Sequence, residues 1–159
     1  MPQVIYTSKK GLYQQAGTGV SLSGNTMTGG LAKVYTHTAT SGDLTLTTSD
    51  SGCMVTVSGN ASGQKIKVPL ATAAPGFRFT VMLTAVPAND LDIEETTTTN
   101  NFITINIVGG ANSDGLTGNQ TLRFDRSENA IGDIAVVYSD GVNYIVTSQT
   151  TTASAILAV

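Results

Sequence analysis

The stretch Ile134-Ala135-Val136-Val137-Tyr138-Ser139-Asp140-Gly141-Val142-Asn143-Tyr144-Ile145-Val146-Thr147-Ser148 decides how the rest of the chain is read. Two runs rich in β-branched and aromatic residues flank Asp140-Gly141. That arrangement predicts a type I′ hairpin, because Gly accepts the positive φ such a turn requires and Asp tolerates it. Working outward, the same period of two recurs along the chain. Leu44 and Leu46 alternate with Thr; Cys53, Val55 and Val57 alternate with Met54 and Thr56; Ile66, Val68 and Leu70 follow, with Lys65 and Lys67 opposite. After Pro75-Gly76, Phe77, Phe79, Val81, Leu83 and Ala85 share one face while Arg78, Thr80 and Thr84 share the other. Leu91 with Ile93, then Ile103, Ile105 and Ile107, then Leu122 with Phe124, extend the pattern. Alternation of this kind marks half-buried strands. Gly59-Asn60-Ala61-Ser62-Gly63 reads as a turn that makes a hairpin of the segments around Val55 and Ile66, and the strand that opens at Phe77 reads as central. The fold class expected is all-β, an antiparallel sandwich or jelly-roll-like domain of about eight or nine strands. No segment reads as a helix, and no fixed-period repeat points to a solenoid.

Composition agrees with that pattern. The chain has 159 residues, enough for one domain, and holds 25 Thr and 17 Gly, residues that favour extended backbone and tight turns. Charged residues make up 12%, half the usual share of about 25%. The 40% hydrophobic content still suffices for a core, which argues against disorder. A net charge of −3 with eight Lys and Arg argues against nucleic acid, since phosphate binding needs clustered cations. No apolar run approaches the roughly 20 residues of a membrane helix. Cys53 is the only cysteine, so no internal disulfide can form. The opening MPQVIYTSKKGLYQQ lacks a continuous apolar segment of signal-peptide length, so synthesis in a reducing cytoplasm is expected. Residues 1–40, rich in Gln, Gly, Ser and Thr, read as an extended N-terminal arm, 41–149 as the β-sandwich domain and 150–159 as a C-terminal tail.

Catalytic, metal and cofactor sites are expected to be absent. His37 is the only histidine, and no serine sits in a G-x-S-x-G elbow. Cys53 belongs to an inward-facing run and reads as a small buried hydrophobe. In Asp90-Leu91-Asp92-Ile93-Glu94-Glu95 the acids alternate with inward Leu91 and Ile93, which makes them a solvated or partner-facing acidic edge rather than a calcium loop. The glycines of 109–115 read as an irregular loop. Thr-rich strands present methyls and hydroxyls together and can pack on another protein without desolvating charge. Candidate interface residues are therefore Arg78, Arg123 and Arg126, whose guanidinium groups can take a carboxylate two-pronged, and Ile5, Tyr6, Lys9, Lys10, Leu12 and Tyr13 of the arm.

Three segments carry a resemblance. They are Leu44-Thr45-Leu46-Thr47-Thr48-Ser49-Asp50-Ser51-Gly52, Ile66-Lys67-Val68-Pro69-Leu70-Ala71-Thr72-Ala73-Ala74-Pro75-Gly76-Phe77-Arg78-Phe79, and Ile131 through Val146 with its Ser139-Asp140-Gly141 turn. Together, over roughly residues 43–148, they resemble small structural proteins of tailed bacteriophages, among them capsid decoration, or cement, proteins. Pro69 preceding Leu70 reverses the more familiar order, and Tyr144 stands where a Trp is common. The resemblance implies a non-enzymatic virion protein on the capsid exterior, frequently a homotrimer, with the major capsid protein and its own copies as partners. It implies no cofactor, nucleic acid or membrane. The alternatives are a tail, collar or fibre-associated phage protein with a receptor- or glycan-binding face, and a glycoside hydrolase with paired carboxylates.

Overall fold

The computed structural model describes residues 4–7, 11–14, 20–22, 25–27, 33–97, 102–108, 111–113 and 121–159. The chain divides into two compact units, Met1–Ala32 and Lys33–Val159. In the first, β1 (Val4–Thr7) pairs antiparallel with β2 (Gly11–Gln14), and β3 (Val20–Leu22) with β4 (Asn25–Met27). The segment expected to be an extended arm thus holds two short antiparallel strand pairs. Lys9 and Lys10 lie outside the described residues, as do the side chains of Ile5, Tyr6, Leu12, Tyr13 and 103–108; of the stretch 109–115 expected to be an irregular loop, Ala111–Ser113 is a strand and the rest lies outside the described residues.

The second unit is all-β and sandwich-like, with no α-helix among the described residues. Its strands are β5 (Val34–His37), β6 (Leu44–Thr45), β7 (Cys53–Val57), β8 (Lys65–Val68), β9 (Arg78–Leu83), β10 (Leu91–Glu95), β11 (Phe102–Val108), β12 (Ala111–Ser113), β13 (Leu122–Phe124), β14 (Ile134–Ser139), β15 (Tyr144–Thr150) and β16 (Ile156–Ala158). They form a seven-stranded sheet in the order β12-β11-β15-β14-β9-β7-β5 and a five-stranded sheet in the order β16-β13-β10-β8-β6.

The strand count exceeds the eight or nine expected, and the sheets are mixed rather than antiparallel. Five pairs are parallel: β5 with β7, β7 with β9, β6 with β8, β8 with β10, and β11 with β15. From β5 to β10 the chain alternates between sheets at every strand, so each parallel neighbour is reached through a strand of the opposite sheet. A parallel pair always needs such a long return path. Three turns stack in this way, and the unequal spacing of Val34, Cys53 and Arg78 explains why the sequence shows no fixed period. The hairpin expected of β7 and β8 does not form, because these strands belong to different sheets. Their connection instead crosses between sheets and is tied down by Asn60, whose Nδ2 donates to the Asp90 carbonyl at 2.8 Å.

The β14–β15 hairpin does form, with Ser139 opposite Tyr144. Its turn sits one residue later than expected. The Asp140 amide donates to the Asn143 carbonyl at 3.1 Å, leaving Gly141 and Val142 as the central pair. Gly141, at φ +94°, occupies the first central position, where a type II′ turn needs glycine. The Asp140 carboxylate accepts the amides of Val142 and Asn143, both at 2.7 Å.

The two sheets enclose one core. Val55, Val57, Phe79, Val81, Leu83, Val137 and Val146 face Ile66, Val68, Leu91, Ile93, Leu122 and Phe124, all fully buried. Tyr144 stacks on Phe102 with centroids 5.3 Å apart and meets Phe77 edge-on at 6.5 Å. β9 is an interior strand beside the central β14. The domain limits also differ from those read in the sequence. Val34–His37, placed in the arm, pairs with β7, and 156–158, placed in the tail, pairs with β13.

Candidate functional site

The outward side chains of the two sheets differ in chemistry. On the five-stranded sheet the acids of β10 stand on a middle strand, not at an edge, and basic neighbours answer them. Arg123 Nε donates to Asp92 Oδ1 at 2.7 Å and its Nη2 to Oδ2 at 3.0 Å, with Asp90 at 3.7 Å. Lys65 Nζ reaches Glu94 at 2.7 Å, and Lys67 reaches Asp43 at 2.8 Å. Period-two alternation put these side chains outward, and cross-strand register matched their signs. The ladder is satisfied within the chain.

The seven-stranded sheet is its opposite. Register aligns Val34, Met54, Thr80, Val136 and Thr147 in one outward row, Thr36, Thr56, Met82, Ile134 and Gln149 in the next, and Arg78, Tyr138 and Ile145 in a third. Arg78 is the single charged residue among these. Val136 and Tyr138 on the central β14 are 43% and 45% exposed, and Val34 on the edge strand β5 is 63% exposed, high for large apolar side chains. Beside Arg78 lies a depression of about 230 Å³ lined by Gly52, Cys53, Arg78, Phe79, Thr80 and Val136. A second, polar cleft of about 310 Å³ lies against the charged ladder, where Ser62, Gly63, Gln64 and Asn89 meet Asp90, Asp92, Lys65, Arg123 and Arg126.

Buried titratable groups hold loops together. Asp50, 6% exposed, accepts from Lys33 Nζ and Tyr35 Oη, both at 2.6 Å, and from Thr47 N at 2.8 Å and Oγ1 at 2.7 Å. Burial works to raise its pKa, and these donors outweigh burial and hold the carboxyl far below the usual carboxylate range. Glu95 accepts the Ala71 amide at 2.7 Å, and burial pushes its pKa up despite that bond. Tyr144 Oη donates to the Pro69 carbonyl at 2.6 Å, and Ser139 Oγ to the Ala71 carbonyl at 2.9 Å. The Pro69–Ala71 segment and the 139–144 hairpin, two of the segments that carried the resemblance, are therefore bonded to each other. Cys53 is buried with its thiol pushed up to about 11, chiefly by desolvation, which keeps it protonated and unreactive at neutral pH. His37 is wholly buried and, among the described residues, neither ring nitrogen has a hydrogen-bond partner.

Of the three arginines singled out from sequence, Arg123 is engaged by Asp92 of its own chain, so its two-pronged guanidinium is not open to a partner. Arg126 is exposed at the polar cleft, and Arg78 is exposed on the outer face of β9, where it is the single charge among the aligned outward residues. Sequence reading missed Met54, Met82, Val136 and Tyr138 as surface residues of interest. Alternation sets Val136 and Tyr138 on the face opposite Ala135 and Val137, but it does not supply the strand neighbours that merge them into one face. Among the described residues no cluster of three His, Cys, Asp or Glu side chains is placed to hold a metal ion. No helix among them is long and apolar enough to cross a membrane. No protein family, curated protein or solved structure matches this chain.

Proposed function

We propose that the chain is a capsid decoration protein of a tailed bacteriophage, a non-enzymatic virion component that attaches as a homotrimer to the outside of the major capsid protein shell after synthesis in the host cytoplasm. The observation that carries this reading is the outer face formed by β5, β7, β9, β14 and β15, on which Arg78 is the only charge among the described residues. Methyl, thioether and hydroxyl groups can be covered by a protein surface without stripping water from charges, and that face lies opposite one whose charges already pair within the chain. The proposal extends to the fold: the two-sheet core is taken as a relative of jelly-roll-like virion domains in which stacked parallel turns replace part of the antiparallel connectivity. Quantitative mass spectrometry of purified virions tests it. Hundreds of copies per particle, with trimers by sedimentation, are expected; a handful of copies would remove the protein from the shell.

The polar cleft favours a second reading, a tail, collar or fibre component whose Asn89, Gln64 and Arg126 hydrogen-bond a glycan. A few copies per virion together with binding on a glycan array would select it.

A further inference from the structure

We infer that the depression beside Arg78 is the anchor of a protein docking face and takes a single carboxylate side chain from a partner of otherwise uncharged surface. This rests on reading the seven-stranded face as the contact with a shell. Three observations converge. Arg78 is exposed, and no ion pair or side-chain hydrogen bond to its guanidinium is formed by the described residues, whereas Lys33, Lys65, Lys67 and Arg123 each meet a carboxylate of the same chain. It stands directly opposite Tyr138 on the neighbouring strand and is the only charge among the outward residues of β5, β7, β9, β14 and β15. Adjoining it, Gly52 leaves open space, with nothing within 4 Å of where a Cβ would stand, and Thr80 and Val136 complete the wall of the 230 Å³ depression.

Charge complementarity fixes the occupant. A partner with several acidic groups would leave most of them unpaired against methyls and hydroxyls, at a desolvation cost for each. A cationic partner would meet Arg78 unpaired. One Asp or Glu flanked by apolar residues satisfies the face: its oxygens take the guanidinium two-pronged, and its neighbours cover Val136 and Tyr138.

The test uses the full-length, ¹⁵N-labelled protein and two probes, acetyl-Val-Asp-Val-amide and acetyl-Val-Asn-Val-amide. The Asp peptide is expected to shift the Arg78 Nε–H resonance and the amides of Gly52, Thr80 and Val136 in a saturable way. The Asn peptide is expected to bind at least about tenfold more weakly. Arg78→Gln, a surface change, should abolish the difference. Equal response to both peptides, no response, or an unchanged difference in Arg78→Gln overturns the inference. Self-association that is lost in Val136→Lys would make a second copy the occupant and overturn it as well. Attachment of the full chain to undecorated capsids separates the two readings. Peptide discrimination without attachment supports the anchor and removes the decoration role. Attachment that survives Arg78→Gln but not Val136→Lys keeps that role and overturns the anchor.

Discussion

Gly141 answers to two constraints at once. Its φ of +94° lies where a Cβ is strained, and an added Cβ would stand 3.3 Å from Cβ of Pro75, tighter than ordinary contact. Gly141→Ala is therefore expected to lose about 1–3 kcal/mol in urea denaturation with an unchanged m-value; wild-type stability would show that the turn can relax into another form. His37 poses an electrostatic constraint instead. Burial holds its pKa below the ordinary 6.5, against a smaller upward pull from Asp43. The unfolded chain takes up a proton as pH falls through about 6.5 while the folded ring resists, so the unfolded state binds more protons below that point and stability falls. Below the lowered folded value both states are charged and the loss levels off. Melting temperature should thus decline from pH 7.5 towards 5.5, above the range where ordinary carboxylates titrate. His37→Leu should flatten that part of the profile whatever it does to stability at pH 7.5. A variant with the same slope would place the acid sensitivity elsewhere.

At the scale of strands, period two told which side chains enter the core and was right for Leu46, Val55, Val57, Ile66, Val68, Phe79, Val81, Leu91, Ile93, Leu122 and Phe124, each fully or almost fully buried. It did not tell which strand lies beside which. Alternation records a face, whereas the turns of residues 58–64 and 70–77 look alike whether they close a hairpin or carry the chain to the other sheet. Strands of two or three residues, such as β6 and β16, are too short to show a period at all. The face whose only charge is Arg78 was unreadable for the same reason, being assembled from five separate stretches. The β14–β15 hairpin was legible because both of its strands and its turn are contiguous. What fixes that hairpin against the rest of the core is distant in sequence: the Tyr144 hydroxyl bonded to the Pro69 carbonyl. Tyr144→Phe keeps the ring contacts with Phe77 and Phe102 and leaves that carbonyl without its donor. It should cost about 1 kcal/mol by chemical denaturation and speed amide exchange in the 69–74 segment. A variant as stable as the parent would mean that solvent replaces the bond at no cost.

At the scale of the whole molecule, the buried core formed by the described residues runs from Leu46 to Ile156, inside the Lys33–Val159 unit. Lys33, whose ammonium bonds Asp50, stays with that unit. Removing residues 1–32 should accordingly leave a cooperative, strand-rich fold, with a melting temperature within about 5 °C of the full chain, a displacement corresponding to roughly 1–2 kcal/mol. The removed segment carries Ile5, Tyr6, Leu12 and Tyr13 with Lys9 and Lys10, the candidate interface residues of the N-terminal arm. Burying four such side chains on a partner could contribute on the order of 6–10 kcal/mol before the entropy of ordering them is subtracted. That remainder gives firm attachment only when copies act together, as in a trimer. The truncated chain is therefore expected to fold and to occupy undecorated capsids poorly, read by circular dichroism and by co-sedimentation on the same sample. Full occupancy would assign attachment to the sheet face alone, while loss of the strand signature would show that the first unit is needed to fold the second.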